Sequence, residues 1–431
     1  MNNKKVLNIA IVGLGNIGSS LYKYLKNNKI KLSKKNNCVP NITYVSARNR
    51  NKKRGFVISK KNWLKNYLEA TKKKNVDLIV ELIGGAEGPA KKLVFNALKN
   101  KKHVVTANKA LIAKYGDQLA KIAEKNKVNL EFEASVCGGV PIIRSLKESL
   151  IANKINRVFG IFNGTSNYIL SSMDKQNKNF KEVLSVAKKL GYAEANPSSD
   201  LNGDDVSSKL KILTSLCFNS FLNNNIHVEG IKDIDKHDID YANILGYKIK
   251  LLGFAELINN NIYQRVHPTL IKKSSYVASI DGVLNAVIID GVPVGRSIIQ
   301  GEGAGPSATT SALVSDISSI LRGNIKFPFS ISNQERKKLK FKKIDERVFS
   351  AYLRFEVIDK PGVLSDITKI FSKNNVSIKR LIQKPNKTKG SSSIIIITHD
   401  SKDKFLNKII KMVLKKKYVL IKPKLIRIDD N

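Results

Sequence analysis

The residues best suited to chemistry fall in one stretch, 191–212. Glu194 and Asp200 stand in a loop marked by the turn dipeptides Asn196-Pro197 and Asn202-Gly203. Asp205 and Lys209 are four residues apart in the helical pattern that follows, where Val206, Leu210, Leu213 and Cys217 recur. That spacing puts the acid and the lysine on one helix face. Asp204 or Asp205 is the expected N-cap. Several carboxylates and one ammonium around a pocket can hold a cationic group and also move a proton. An α-amino group would use the first property, and a carbonyl under reduction the second. The plainer alternative is a surface ion pair at a solvated helix start, in a chain with 76 lysines and arginines.

A second chemical signal stands at 13–18. An apolar run, 5–12, leads into Gly13-Leu14-Gly15-Asn16-Ile17-Gly18, and a helical pattern continues to 25. Gly-x-Gly-x-x-Gly between strand and helix has a physical cause. The first glycine permits the tight turn, the second lets a pyrophosphate reach the backbone, and the third lets helix and strand pack closely. The helix N-terminus then faces the phosphates. An NAD site would carry an acidic residue after the next strand, 42–47, to bind the ribose hydroxyls. Here Arg48-Asn49-Arg50-Asn51-Lys52-Lys53-Arg54 follows instead. Arg48, with Arg50 or Lys53, is the expected partner of a 2′-phosphate, so NADP(H) is expected ahead of NAD(H). General basicity is the competing explanation.

The elements that must position these residues follow in order. A continuous apolar strand, 76–83, ends in Gly84-Gly85, and a helix starts at Pro89. Strand 103–107 runs into Asn108-Lys109, which makes Lys109 a candidate at the carboxyl end of a sheet strand. Helix 111–126 and strand 128–134 complete a βαβαβ rhythm, hence a parallel sheet with right-handed crossovers. Beyond 135 the texture changes. Cys137-Gly138-Gly139-Val140-Pro141 opens a helix to 151. Strand 155–162, a turn at 163–168, helices 180–190, 204–219 and 241–257, and strands 262–270 and 286–289 follow. A second glycine loop, 301–306, precedes helix 307–321 and returns toward the cofactor. After a charged linker, a strand at 351–358, a helix at 363–373, strands at 376–383 and 392–398, a helix at 404–414 and a strand at 418–428 give a ferredoxin-like βαββαβ unit.

Composition bounds the rest. The 431 residues suffice for two or three domains with real cores, and 42% are hydrophobic. No apolar run approaches 18 residues, so no membrane span is expected. The N-terminal apolar run ends in the glycine loop and reads as a strand, not a signal peptide. Three cysteines, Cys38, Cys137 and Cys217, lack disulfide or metal-ligand spacing, which fits a reducing cytoplasm. The net charge of +41 would suit nucleic acid or an acidic membrane surface. The lysines are scattered along every expected helix, without a nucleic-acid motif or aromatic platform. They read as solvated faces, with neither nucleic acid nor membrane as partner.

Taken in order, the segments 13–18, 81–85, 106–109, 131–141, 163–168, 191–209 and 301–306 resemble the homoserine dehydrogenase family. Its members are NADP-using reductases of L-aspartate 4-semialdehyde in threonine, methionine and isoleucine biosynthesis. The resemblance covers 6–322 and is to the monofunctional type. Residues 350–431 resemble an ACT domain through Val357-Ile358-Asp359-Lys360-Pro361-Gly362-Val363-Leu364. The implied fold is α/β. It places a Rossmann-type doubly wound parallel sheet at 1–136, completed by 300–323, an α+β catalytic and dimerisation domain at 137–323, a linker at 324–349 and the ACT domain at 350–431.

The resemblance also implies roles. Lys209 is the proton donor, and Asp205 shares the substrate or orients that lysine. Glu194 binds the substrate amino group with help from Asp200, and Gly164 and Thr165 contact the substrate. Lys109 bridges substrate and cofactor, which lies on Gly13, Gly15, Asn16, Ile17, Gly18, Arg48, Gly84 and Gly303. A monovalent cation, Na+ or K+, is held by Glu133, Val136, Gly138 and Val140, mostly through backbone carbonyls. The family further implies a homodimer or homotetramer, and the ACT domain implies feedback by L-threonine. Two departures stand out: Cys137 occupies a position usually small in the family, and Asn196 replaces a common aspartate.

Three other readings compete. Cys137, at a glycine-rich helix start, could be the nucleophile of an acylating aldehyde dehydrogenase. A 2-hydroxy acid dehydrogenase would need a histidine base, but His103, His227, His237, His267 and His399 fall in strands or acidic loops. A non-catalytic basic protein would bind nucleic acid with steep salt dependence.

Overall fold

The computed structural model describes residues 5–386 and 390–429. Strands β1 (Lys5–Val12), β2 (Cys38–Ser46), β3 (Leu78–Glu81), β4 (His103–Thr106) and β5 (Leu130–Glu131) form a parallel sheet in the order β2-β1-β3-β4-β5. Both faces are covered, which is why these strands read as unbroken apolar runs. Ile9, Ile11, Leu78 and Val80 pack with Leu21 and Leu25 of α1 (Asn16–Asn27). Ala10, Val12 and Ile79 pack with Leu93 and Val94 of α2 (Pro89–Lys99) and Leu111 of α3 (Lys109–Lys125). The order reverses between β1 and β3, so a crevice opens at the carboxyl ends of those two strands. The Gly13–Gly18 turn and Glu81–Gly85 both lie there.

The second sheet begins with β6 (Lys154–Ile161), which leads into α4 (Gly164–Gln176) and, further on, α5 (Asp204–Phe218). Strands β7 (Tyr247–Ile258), β8 (Asn261–Lys272), β9 (Leu284–Val292) and β10 (Gly295–Glu302) complete an antiparallel array in the order β10-β9-β6-β7-β8. Helix α6 (Pro306–Leu321) then goes back to the first sheet, burying Leu313, Ile317 and Ile320 beside Leu21 and Leu25.

The last unit comprises β11 (Ala351–Ile358), α7 (Val363–Lys373), β12 (Ile378–Pro385), β13 (Ser391–Thr398), α8 (Asp403–Leu414) and β14 (Lys424–Asp429). Its sheet order, β14-β11-β13-β12, is that of a ferredoxin-like fold, with both helices packed on one face. It does not stand apart. β14 pairs in parallel with β8, Arg427 opposite Thr269, so the two sheets join, and with the short strands His227–Val228 and Lys340–Lys342 added along β8 the described residues form one eleven-stranded sheet.

Several expectations need correction. Residues 241–257 are not one helix. A helix, Lys236–Ile244, stops before Gly246, whose φ is +85°, and β7 follows. The doubly buried run of β7 is apolar on both faces, so it carries no period to separate strand from helix. β10 was not expected at all, because the glycines at 295 and 301 hide its alternation. The strand expected at 128–134 shrinks to β5, followed by a 3-10 turn at Glu133–Ser135. The helix from Pro141 is one α-turn, Ile142–Arg144, widening into a π-turn, Ser145–Ser149. Gly203, not Asp204 or Asp205, caps α5 in a left-handed conformation, and both aspartates lie in its first turn. Asp200 stands in a short helix, Ser198–Asn202, rather than in open loop.

The stretch 324–349 is a strap fastened on both sides. Phe329 is buried against Phe132, their ring centroids 5.4 Å apart. Arg336 donates to Ser215 Oγ and Ser220 O and pairs with Asp117 at 2.7 Å. Lys340–Lys342 adds to β8, and Val348–Phe349 pairs with Ser401–Lys402.

Candidate active site

The crevice between the sheets is a cleft of about 700 Å³. Its walls bring together Ile17, Lys109, Gly138, Gly164, Thr165, Glu194, Asp200, Asp205, Lys209 and Gly303. Segments far apart in sequence meet here because each ends an element that faces the crevice. Lys109 begins α3 after β4, Gly164 and Thr165 begin α4 after β6, and Asp205 and Lys209 occupy the first two turns of α5.

Asp205 is the hub. Its Oδ2 lies 2.8 Å from Lys209 Nζ, and its Oδ1 lies 2.8 Å from Lys109 Nζ. The Asn163 amide donates to Asp205 Oδ2 at 2.9 Å and to Asp200 Oδ1 at 2.7 Å. Lys209 also donates to Phe162 O at 2.6 Å. Asn163 in turn is held by its own helix, since Asn163 Oδ1 accepts from Ser166 N at 2.8 Å as the N-cap of α4. Thr165 Oγ1 donates to Tyr192 O at 2.7 Å and ties α4 to the loop bearing Glu194. Glu194 itself is exposed on the cleft wall.

Charge follows from this packing. Burial by itself would raise the Asp205 carboxyl. The Lys209 and Lys109 ammoniums and the Asn163 amide outweigh it and hold the carboxyl well below the usual carboxylate range. Burial by itself would lower Lys209, but the Asp205 carboxylate outweighs it and Lys209 stays protonated beyond its ordinary range. Burial pushes Asp200 up, only partly offset by Asn163.

The cofactor side is built at the turn after β1. A Cβ on Gly18 would fall 1.9 Å from Gly13 O, so only glycine allows the helix to start this close to the strand. A Cβ on Gly15 would meet nothing within 4 Å, and α1 has no side-chain N-cap. An open glycine at a bare helix N-terminus is the cradle a pyrophosphate fits. Glu81, fully buried, accepts from Ile83 N (2.7 Å), Gly84 N (3.0 Å) and Thr106 Oγ1 (2.6 Å), which fixes the facing Gly84-Gly85 turn. Asn108 Nδ2 donates to Gly85 O at 2.7 Å.

Beyond this turn is a groove of about 430 Å³ lined by Gly15, Asn16, Ser19, Lys23, Lys52, Lys53 and Arg54. Arg54 closes the loop on itself, donating to Leu14 O, Lys52 O and Asn49 O while stacked near Trp63. Arg48 is exposed and outside this lining.

The turn 133–140 was expected to hold a cation. Both Glu133 carboxylate oxygens are engaged, by Ile143 N at 2.9 Å and Arg144 N at 2.7 Å. Any cation there would meet backbone carbonyls rather than this side chain. Glu133 O accepts from Val136 N, and Val140 O from Ile142 N. Among the described residues no donor is placed on the carbonyls of Val136 and Gly138. Two such oxygens in a largely buried turn fit a hard, weakly charged ion.

The competing residues behave structurally. Cys137 borders the cleft, but burial pushes its thiol up, which disfavours a thiolate. None of the five histidines lines the cleft. His267 is buried, stacked 5.5 Å from Phe254. Sequence reasoning placed Asn163, Glu81, Thr106 and Asn108 only inside motifs. Asn163 before a helix start was a visible N-cap signal, but its second use, the bridge between Asp200 and Asp205, needs the fold.

Residues 13–133 match the family model described as homoserine dehydrogenase, NAD binding domain, 141–318 match homoserine dehydrogenase, and 351–411 match the ACT domain. Homoserine dehydrogenase of Neisseria gonorrhoeae is 39% identical over 93% of this chain and 94% of its own. The chain belongs to the homoserine dehydrogenase family. It is accordingly an NAD(P)-dependent oxidoreductase acting on a CH–OH group. Homoserine dehydrogenase of Helicobacter pylori is 38% identical over 99% of this chain and 100% of its own. The crystal structure of a homoserine dehydrogenase from Thiobacillus denitrificans superposes with a TM-score of 0.92 at 36% identity, covering 99% of both chains. Membership removes the acylating aldehyde dehydrogenase, 2-hydroxy acid and non-catalytic readings. Among the described residues no helix is long and apolar enough to cross a membrane.

Proposed function

We propose that this chain catalyses the reversible reduction of L-aspartate 4-semialdehyde to L-homoserine, with NADP(H) preferred over NAD(H), on the way to threonine, methionine and isoleucine. One arrangement carries the reading: Lys209, protonated and buried, pairs with Asp205 at 2.8 Å and lines the same cleft as Asp200 and as Ile17 of the glycine turn. The nicotinamide cofactor, when bound, supplies the hydride. Lys209 holds a proton at Nζ and delivers it to the aldehyde oxygen as that oxygen becomes an alkoxide, or removes it from the alcohol in reverse. Asp205 fixes Lys209 and Lys109 with one carboxylate, so the donor is aimed before substrate arrives. Glu194 and Asp200 give the substrate ammonium two acidic partners, and Gly164 and Thr165 present the first turn of α4 to its polar groups. Lys109, partly exposed, reaches from the cofactor side.

Further parts of the reading follow from the family. The carbonyls of Glu133, Val136, Gly138 and Val140 would hold Na+ or K+ as a structural ion. L-threonine would occupy the cleft of about 480 Å³ at Asp359–Leu364, Gln383 and Ser392 as a feedback effector. The enzyme would work as a homodimer or homotetramer in the cytoplasm. Of the domain expectations, the unit boundaries near 136, 323 and 350 remain part of this proposal.

The test is oxidation of NADPH and of NADH with L-aspartate 4-semialdehyde. Turnover with a higher kcat/KM for NADPH is expected. Inactivity with both cofactors would overturn the substrate assignment.

A further inference from the structure

The substrate side of the cleft rests on a support that comes from the far end of the chain. Asp200 stands on the short helix Ser198–Asn202, and Gly203 caps the helix bearing Asp205 and Lys209. The backbone of 201–203 lies directly on segment 228–231. Leu201 O accepts from Ile231 N at 2.9 Å. A Cβ on Gly230 would fall 2.1 Å from Leu201 O and 2.7 Å from Asn202 Cα. One on Gly203 would fall 3.1 Å from Val228 Cγ1. Any shift of 228–231 therefore pushes on the backbone between Asp200 and Asp205.

That segment pairs with β8 through Val228 and Val266, and Glu229 adds further contacts. Glu229 N donates to Val266 O of β8 at 2.7 Å. The Glu229 carboxylate takes Arg427 Nη1 on both oxygens, at 2.9 and 3.1 Å, and His227 Nε2 at 2.6 Å. Arg427 sits on β14 of the ACT domain, and its side chain is only 1% exposed. Its Nε donates to the fully buried Asp403 at 2.6 Å, and its backbone is in register with Thr269. The guanidinium is thus pinned on its own domain and projects across the seam. A charge-assisted contact anchored on a buried guanidinium fixes geometry more firmly than an ion pair between two exposed side chains.

We propose that Arg427 is a positioning residue for the substrate site, acting through Glu229 and Gly230 on the backbone that seats Asp200. The inference rests on the reading of Glu194 and Asp200 as the site of the substrate amino group. The ACT domain then supplies part of the substrate site's support whether or not it binds an effector.

The experiment measures kcat and the KM values for L-homoserine and NADP+ in the full-length protein, with melting temperatures, for wild type, Glu229→Gln, Arg427→Lys and the double variant. Glu229→Gln keeps the shape at a side chain 36% exposed, so it carries the test should Arg427→Lys leave Asp403 unpaired and fail to fold. The expected result is a rise of about twofold to thirtyfold in the KM for homoserine with an unchanged KM for NADP+, and a double variant no worse than the worse single one. A folded Glu229→Gln enzyme with the wild-type KM for homoserine, whatever its melting temperature, overturns the inference alone. Wild type that fails to oxidise homoserine overturns the substrate reading, and the inference falls with it.

Discussion

Asp205 Oδ2 and Lys209 Nζ stand 2.8 Å apart across a single turn of α5, both side chains buried. Lys209 keeps its proton because the Asp205 carboxylate outweighs burial, which acts to remove it. Asp205→Asn removes the favourable charge and leaves the burial. The pKa of Lys209 must then fall. The alkaline limb of kcat for aldehyde reduction, set by loss of the donor proton, should move to lower pH in Asp205→Asn. A pH–rate profile checks this, and an unmoved limb would show that another group sets it.

The second and third glycines of the turn should separate binding from folding. Gly18→Ala drives a methyl into Gly13 O and should cost about 1–3 kcal/mol or more in stability. Gly15→Ala meets nothing in the folded chain. It should melt like wild type while the KM for NADPH rises, because the methyl occupies the space of a phosphate. Thermal melts and cofactor titrations of both variants give the comparison.

Recognition of the 2′-phosphate should follow the groove rather than the order of the sequence. Lys52 and Lys53 line it, while Arg48 is exposed outside it. Substituting both lysines with alanine should raise the KM for NADPH about tenfold or more and leave that for NADH nearly unchanged. Arg48→Ala should change neither. A selective NADPH defect in Arg48→Ala would instead support Arg48 as the partner of the 2′-phosphate.

The ACT domain covers the Thr269–Ile271 end of the β8 edge, because β14 pairs there. A chain ending at Lys343 would bare that edge and remove the Arg427 partner of Glu229. Its melting temperature should drop, and it should associate through the uncovered part of the strand. A calorimetric scan with light scattering tests both. Point substitution at Asp359 is thus the cleaner probe of an L-threonine response.

Legibility from sequence tracked local constraint. The Gly13–Gly18 turn, α2 from Pro89 and the acid–lysine pair of α5 could be placed because glycine, proline and i,i+4 spacing act within a few residues. β7 was mistaken because a strand buried on both faces loses its period, and β10 because glycine interrupts it. The fusion of the two sheets was invisible, since the pairing of Arg427 with Thr269 joins residues far apart in sequence. The same applies to Asn163, whose capping role is local and whose bridge to Asp200 and Asp205 is not.

The central claim is that Lys209 is the proton donor, and the most direct measurement is kcat for aldehyde reduction by Lys209→Ala at saturating NADPH. The prediction is a fall of about 10²–10⁴ in kcat with NADPH affinity retained. A Lys209→Ala enzyme that turns over at the wild-type rate would contradict it.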